Sequence, residues 1–135
     1  MALKKGYKKL IEEANAEVKS YTVAEAKERM EKGDSVIVDI RDIRELEKQG
    51  KLPGALHAPR GMLEFWVDPK SPYHREVFAQ ENKEYIFYCA SSWRSALATK
   101  ALQDMGMENV AHLTGGFGAW KEAGETIEEH KKKVK

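Results

Sequence analysis

Hydrophobic positions along this chain follow two alternating periods. Leu3, Tyr7, Leu10, Ile11, Ala14 and Val18 share one helical stripe, with lysines and glutamates between them, which predicts an amphipathic helix over residues 3–18. Thr22 with Glu25 three positions on is a capping box, and the short helix carrying Ala26 and Met30 stops at Gly33. Val36-Ile37-Val38-Asp39-Ile40 then breaks the helical period. It is a β-branched run of the kind found in strands buried on both faces of a parallel sheet. Asp42 with Glu45 caps a further helix that reaches Gln49 and closes at Gly50. After the Pro53-Gly54 turn come a short strand at 55–57 and an irregular stretch to Pro72, which holds one helical piece at 62–66. Residues 85–89 form a second apolar run, and the helical spacing of Leu97, Ala98, Ala101, Leu102 and Met105 follows it up to Gly106. A last strand at 110–113 leads through Gly115-Gly116 into a helix with Phe117, Ala119 and Trp120, ended by Gly124.

Strand and helix alternate, so the expected fold is α/β, a mainly parallel sheet with helices on both faces. Right-handed crossovers put every strand C-terminus on one edge, where open α/β sheets bind ligands. Asp39, His57, Cys89 and Leu113 end the four strands and share that edge. The expected organisation is an N-terminal amphipathic helix in 1–20, one domain in 21–124 and a charged tail in 125–135, read as a solvated, frayed end.

Composition narrows the functional classes. A net charge of +1 gives no global attraction to nucleic acid or to a membrane, and no apolar run approaches the roughly 18 residues of a span. The N-terminus lacks the apolar core of a signal peptide, which predicts a cytoplasmic protein. One cysteine excludes an intrachain disulfide, a thiolate zinc cluster and an internal resolving thiol. His57, His74, His112 and His130 show no metal spacing and receive no role. No metal or cofactor is expected.

Cys89 lies between a buried strand and the first turn of a helix, where backbone N–H groups are unpaired and the helix dipole favours an anion. Short side chains at Ala90, Ser91 and Ser92 allow the loop to curl into an anion-binding nest, with Trp93 and Arg94 completing it. Ser91 or Ser92 is a candidate helix cap. A thiol in such a place is expected to be acidic and nucleophilic; the bland alternative is a small buried hydrophobe.

Three stretches resemble the rhodanese family of sulfurtransferases. Val38-Asp39-Ile40-Arg41, Glu45 and Gly50-Lys51-Leu52-Pro53-Gly54-Ala55 are similar to D-V-R-x-x-x-E…G-H-I-P-G-A. Cys89-Ala90-Ser91-Ser92-Trp93-Arg94-Ser95 resembles C-x-x-G-x-R-S, and Gly115-Gly116-Phe117-Gly118-Ala119-Trp120 resembles the closing G-G-x-x-x-W. The resemblance covers Tyr21 to Gly124. It implies a five-stranded parallel sheet and a catalytic cysteine that carries a covalent persulfide. Lys51 replaces a common histidine, and Ser92 replaces a common glycine. If that glycine position needs a positive φ, serine there costs about 1 kcal/mol.

On this reading the Cys89 thiolate takes sulfane sulfur from thiosulfate or a persulfide and passes it to cyanide or a thiol. Amides of Ala90 to Arg94 hold the sulfur and the donor anion. Arg94 is either an ion-pair member that organises the loop, the favoured role, or a ligand for the donor. Asp39 and Arg41 form a charge pair supporting the site edge. Arg60 is a candidate second cation or a solvated loop residue; Phe65, Trp66 and Trp93 are candidate walls of the pocket mouth, with satellite core the alternative for Phe65 and Trp66. The rivals are a persulfide carrier serving a specific acceptor protein, and a cysteine phosphatase or arsenate reductase. Phosphatase loops span C-x5-R, whereas Cys89 to Arg94 spans C-x4-R, a smaller ring. The partners expected are a small-molecule donor and acceptor and a sulfur-acceptor protein, with the chain a monomer or weak dimer.

Overall fold

The computed structural model describes residues 1–131. Its elements run α1 (Tyr7–Glu17), β1 (Lys19–Tyr21), α2 (Val23–Lys32), β2 (Ser35–Asp39), α3 (Ile43–Gln49), β3 (Leu56–His57), α4 (Leu63–Val67), β4 (Glu84–Tyr88), α5 (Trp93–Asp104), β5 (Val110–Leu113) and α6 (Gly116–Glu122). Two 3₁₀ turns, Arg60–Met62 and Glu76–Ala79, lie either side of α4. The five strands form one sheet in the order β1-β5-β4-β2-β3, with every neighbouring pair parallel.

Period-2 alternation along the central strand divides the core. Tyr85, Phe87 and Cys89 turn to one face, with Val38, Ala98 and Leu102, so α5 covers that side. Ile86 and Tyr88 turn to the other, with Ile37, Ala26, Phe117 and Trp120, so α2 and α6 cover it. Both faces are therefore apolar, which is why β2 and β4 read as continuous hydrophobic runs. The chain leaves β2 outward toward β3 and leaves β4 the opposite way toward β5. The gap between these two strand ends is the switch point at which such sheets take ligands.

The expected caps are present. Thr22 and Asp42 each accept from the first turn of their helix, and Glu25 and Glu45 reach back to the cap amides. Three features differ from the sequence reading. β1 was not legible, because Lys19 and Ser20 are exposed and only Tyr21 of its three residues is buried. Along α1 only Ala14 is buried within the helix, with Val18 beyond it; Leu3, Tyr7 and Leu10 stay exposed. The start of the tail is not frayed. Lys51 and Glu128 pair as an antiparallel bridge, and the Trp120 indole N–H donates to the Thr126 carbonyl at 2.7 Å. Residues 132–135, the end of the expected lysine tail, lie outside the described residues.

Candidate active site

Cys89 is the first residue beyond β4 and is 1% exposed. The loop from Cys89 to α5 is stapled to the start of α6. Phe117 N–H donates to the Cys89 carbonyl at 2.8 Å, and Gly118 N–H to the Ala90 carbonyl at 3.0 Å. Gly115 N–H donates to Ser92 Oγ at 3.3 Å. Gly116 makes this closeness possible. A Cβ there would stand 2.1 Å from the Ser91 carbonyl oxygen and 2.4 Å from that of Cys89, and its φ is +57°. The loop carbonyls are thus engaged from below. Among the described residues, the amide N–H groups of Ala90, Ser91, Ser92, Trp93 and Arg94 have no acceptor in the protein. Five consecutive donors therefore remain for an anion beside the sulfur.

Ser92 resolves the condition set for it. Its φ is −150°, so the serine carries no left-handed strain. Ser92 stands at the N-cap position of α5, but its hydroxyl makes no cap hydrogen bond and accepts from the Gly115 amide instead.

Arg94 is an ion-pair residue here. Its Nη1 and Nη2 donate to Glu45 Oε1 and Oε2 at 2.8 and 3.0 Å, a two-pronged bond from the loop to α3. The Arg94 hydrogen bond holds the Glu45 carboxyl below its ordinary pKa. Glu45 in turn raises Arg94, and the Cys89 sulfur adds to that rise in smaller measure. Glu45, read from the sequence as a cap and as a member of the first resembling stretch, therefore anchors the loop as well.

Asp39 and Arg41 form a fully buried pair, with Nη2 to Oδ2 at 2.7 Å and both side chains 0% exposed. Tyr88 donates to Asp39 Oδ2 at 2.5 Å, and Arg41 Nη2 donates to the Gly50 carbonyl at 2.7 Å. Burial first, then the Asp39 charge, pushes the Tyr88 phenol far up, so it remains a donor. Because Asp39 and Tyr88 face away from Cys89 across the sheet, this cluster supports the site from beneath and does not touch the sulfur. Arg60 lies exposed on the turn after β3, its backbone tied to the Ile40 carbonyl. Its side chain has no ion pair among the described residues. Trp93 is 56% exposed and its ring meets Tyr7 of α1 at 5.1 Å, so the N-terminal helix reaches the loop. Trp66 packs on the core beside Phe78 and is not a pocket wall, while Phe65 is exposed.

Sequence reasoning missed a chain of polar groups behind the thiol. Cys89 Sγ lies 3.7 Å from Ser95 Oγ, and Ser95 Oγ lies 2.9 Å from His112 Nδ1. His112 Nε2 stands 3.0 Å from Ser20 Oγ and 3.1 Å from Asn15 Oδ1. His112 is 1% exposed, and burial alone pushes its pKa down to about 4. The signal for it was a polar residue inside the apolar run of β5, which demands a buried partner.

The Rhodanese-like domain family model matches residues 22–123. The chain belongs to the rhodanese-like family. It is 32% identical over 111 residues to a putative sulfurtransferase, YtwF, of Bacillus subtilis, covering 82% of this chain and 95% of that one. It is 30% identical over 97 residues to the thiosulfate sulfurtransferase GlpE of Coxiella burnetii, covering 72% and 81%. A solved structure from Rhodopseudomonas palustris, RPA3614, is 50% identical with a TM-score of 0.90 over 95% of this chain and 98% of its own. That protein is described as of unknown function and a possible tyrosine phosphatase.

Proposed function

We propose that this protein is a sulfurtransferase of the thiosulfate type, working through a persulfide on Cys89. The observation that carries the reading is the six-residue loop from Cys89 to Arg94. It leaves five unpaired amides beside a single thiol at the start of a twelve-residue helix. The Cys89 thiolate attacks the outer sulfur of thiosulfate. The S–S bond of the donor breaks, sulfite leaves with the electron pair, and Cys89 keeps one sulfur. An acceptor nucleophile, cyanide or a thiolate, then attacks that sulfur and Cys89 leaves as thiolate. Loop amides stabilise negative charge on the outer sulfur in both steps, and no group beyond the chain's own sulfur is needed. Arg60, exposed on the turn after β3 and with no ion pair among the described residues, supplies positive charge for the dianionic donor.

Names given to relatives support two chemistries, since YtwF and GlpE are called sulfurtransferases and RPA3614 a possible phosphatase. Sulfur transfer is favoured by the size of the ring and by the 1% exposure of Cys89. One sulfur atom extends the side chain into the loop, whereas a phosphoryl group needs a wider cradle to meet donors at about 2.7–3.1 Å. Intact-mass measurement after thiosulfate should show one added sulfur, which cyanide removes. Aryl-phosphate hydrolysis should be absent. Thiosulfate turnover by a Cys89→Ser protein, or phosphatase activity without sulfur loading, would overturn the reading.

A further inference from the structure

The Cys89-Ser95-His112 series runs from the buried thiol through the protein to its outer surface. Cys89 and Ser95 are 1% and 0% exposed, whereas Asn15 and Ser20 at the far end are exposed. We infer that Ser95 and His112 form a hydroxyl–imidazole relay whose tautomer sets whether Ser95 accepts from the Cys89 thiol or donates to its thiolate. The inference rests on the sulfur-transfer reading only for its purpose; the relay itself is a property of the resting protein.

Ser95 has one hydroxyl proton and three nearby groups that can take it, His112 Nδ1 at 2.9 Å, the Ser92 carbonyl at 3.4 Å and the sulfur at 3.7 Å; the relay uses the first and the last. In the first state Cys89 S–H donates to Ser95 Oγ, Ser95 O–H donates to Nδ1, and Nε2–H donates to Asn15 Oδ1 at 3.1 Å. In the second, Ser95 O–H donates to the thiolate, Nδ1–H donates to Ser95 Oγ, and Nε2 accepts from the Ser20 hydroxyl at 3.0 Å. Both states satisfy the buried members, because Nε2 is flanked by one pure acceptor and one hydroxyl; in the second state the Asn15 oxygen, on an exposed residue, is left to solvent.

The protons balance between the two states. The S–H bond breaks, Ser95 receives that proton and passes its own to Nδ1, and the Nε2–H bond breaks to release one proton to water at the Asn15–Ser20 surface. The net change is thiol to thiolate plus one solvated proton. His112 is neutral at both ends of the exchange, consistent with burial holding its pKa near 4. The groups facing it are Ser95 from α5, Ser20 from β1, Asn15 from α1 and the apolar Phe87 that pairs with it on β4; none is charged. Nothing in that shell stabilises an imidazolium, so a tautomer exchange is favoured over a thiolate–imidazolium pair. Ser95 and His112 are positioning residues. They present a hydrogen bond of the correct sense to the sulfur, in addition to whatever the loop amides supply.

The test uses the full chain with nitrogen-15-labelled histidine and no sulfur donor. The His112 ring nitrogens are followed by NMR while ionisation of Cys89 is followed by ultraviolet absorbance. The Nδ1–H tautomer should grow in step with the thiolate; a single tautomer throughout overturns the relay. In Ser95→Ala the tautomer should no longer follow Cys89, and alkylation of Cys89 at pH 7 should slow by about tenfold, the loss of one hydrogen bond to a charged group. Ser95→Thr, which keeps the hydroxyl, should restore both. An unchanged alkylation rate in Ser95→Ala also overturns the proposal. Thiosulfate turnover of the native chain is measured in parallel. If turnover is absent while the tautomer tracks the thiolate, the functional reading fails and the relay stands.

Discussion

Arg94 and Glu45 meet as two parallel hydrogen bonds, at 2.8 and 3.0 Å, joining the last residue of the cysteine loop to the first turn of α3. Glu45 Oε1 also accepts from the Asp42 amide at 3.3 Å, so one carboxylate caps a helix and holds the loop. Glu45→Gln should reduce thiosulfate:cyanide turnover by about ten- to a hundredfold, because the loop amides lose their alignment. The stability cost should be only about 1 kcal/mol, since the side chains are 38% and 30% exposed and solvent screens the pair. Steady-state kinetics and denaturant midpoints check the two halves. Unchanged turnover would mean that the α6 staple alone shapes the loop.

The buried pair under the sheet behaves differently. Asp39→Ala leaves Arg41, 0% exposed, without its carboxylate, and Tyr88 without its acceptor. The expected loss is about 3–5 kcal/mol. Equilibrium denaturation measures it, and a loss below about 1 kcal/mol would show that water reaches Arg41 when the carboxylate is gone.

Gly116→Ala places a methyl group against two loop carbonyls and requires a side chain at φ +57°. Backbone strain alone costs about 1–2 kcal/mol. The loop is the softer party and should shift, so sulfur loading of Cys89 should fall sharply while circular dichroism keeps its native form. Intact-mass analysis after thiosulfate reads the loading. Full loading with native kinetics would refute the close approach.

His112 gives a pH dependence with a definite sign. Its pKa is about 4 folded, against about 6.5 unfolded. Between these values the unfolded chain binds a proton that the native chain does not, so stability rises with pH. The contribution is complete above about pH 6.5 and lost as pH falls toward 4, at most roughly 3 kcal/mol. In His112→Gln this part of the slope should vanish. Denaturation of both proteins at pH 7, 5 and 4 isolates it from the carboxylates they share.

Ring size is open to a direct change. One glycine inserted between Ser92 and Trp93 gives the loop the length of a phosphatase cradle. Sulfur transfer should collapse, each misaligned donor costing about 2.7–4 kcal/mol in an oxyanion-hole setting. Retained transfer would show that ring size does not select the chemistry.

Much of this was legible along the chain. Val36 to Ile40, broken only by Asp39, and Tyr85 to Tyr88 are apolar runs because helices cover both of their faces, and that pattern is local. Thr22 with Glu25 and Asp42 with Glu45 announce helix starts because a cap reaches only three residues. Cys89 before a helical period announces an anion site for the same reason: strand, thiol and first turn are contiguous. The edge strand β1 left no such trace. One buried residue in three cannot set a period, and its pairing with β5 is a contact across some ninety residues.

The amino-acid sequence by itself determined the α/β class, the parallel core strands, the helix caps and the place of the thiol, all of which depend on neighbours within a few residues. Only the tertiary structure decided which partners meet: Arg94 with Glu45, Gly116 against the loop, and His112 behind Ser95. These pairs are 49, 25 and 17 residues apart. Nothing in the spacing of Glu45 or His112 marks such a pairing, because hydrogen bonds at this range are set by how helices and strands stack. Side-chain polarity says that a buried histidine must have a partner; the packing of α5 on β5 chooses Ser95.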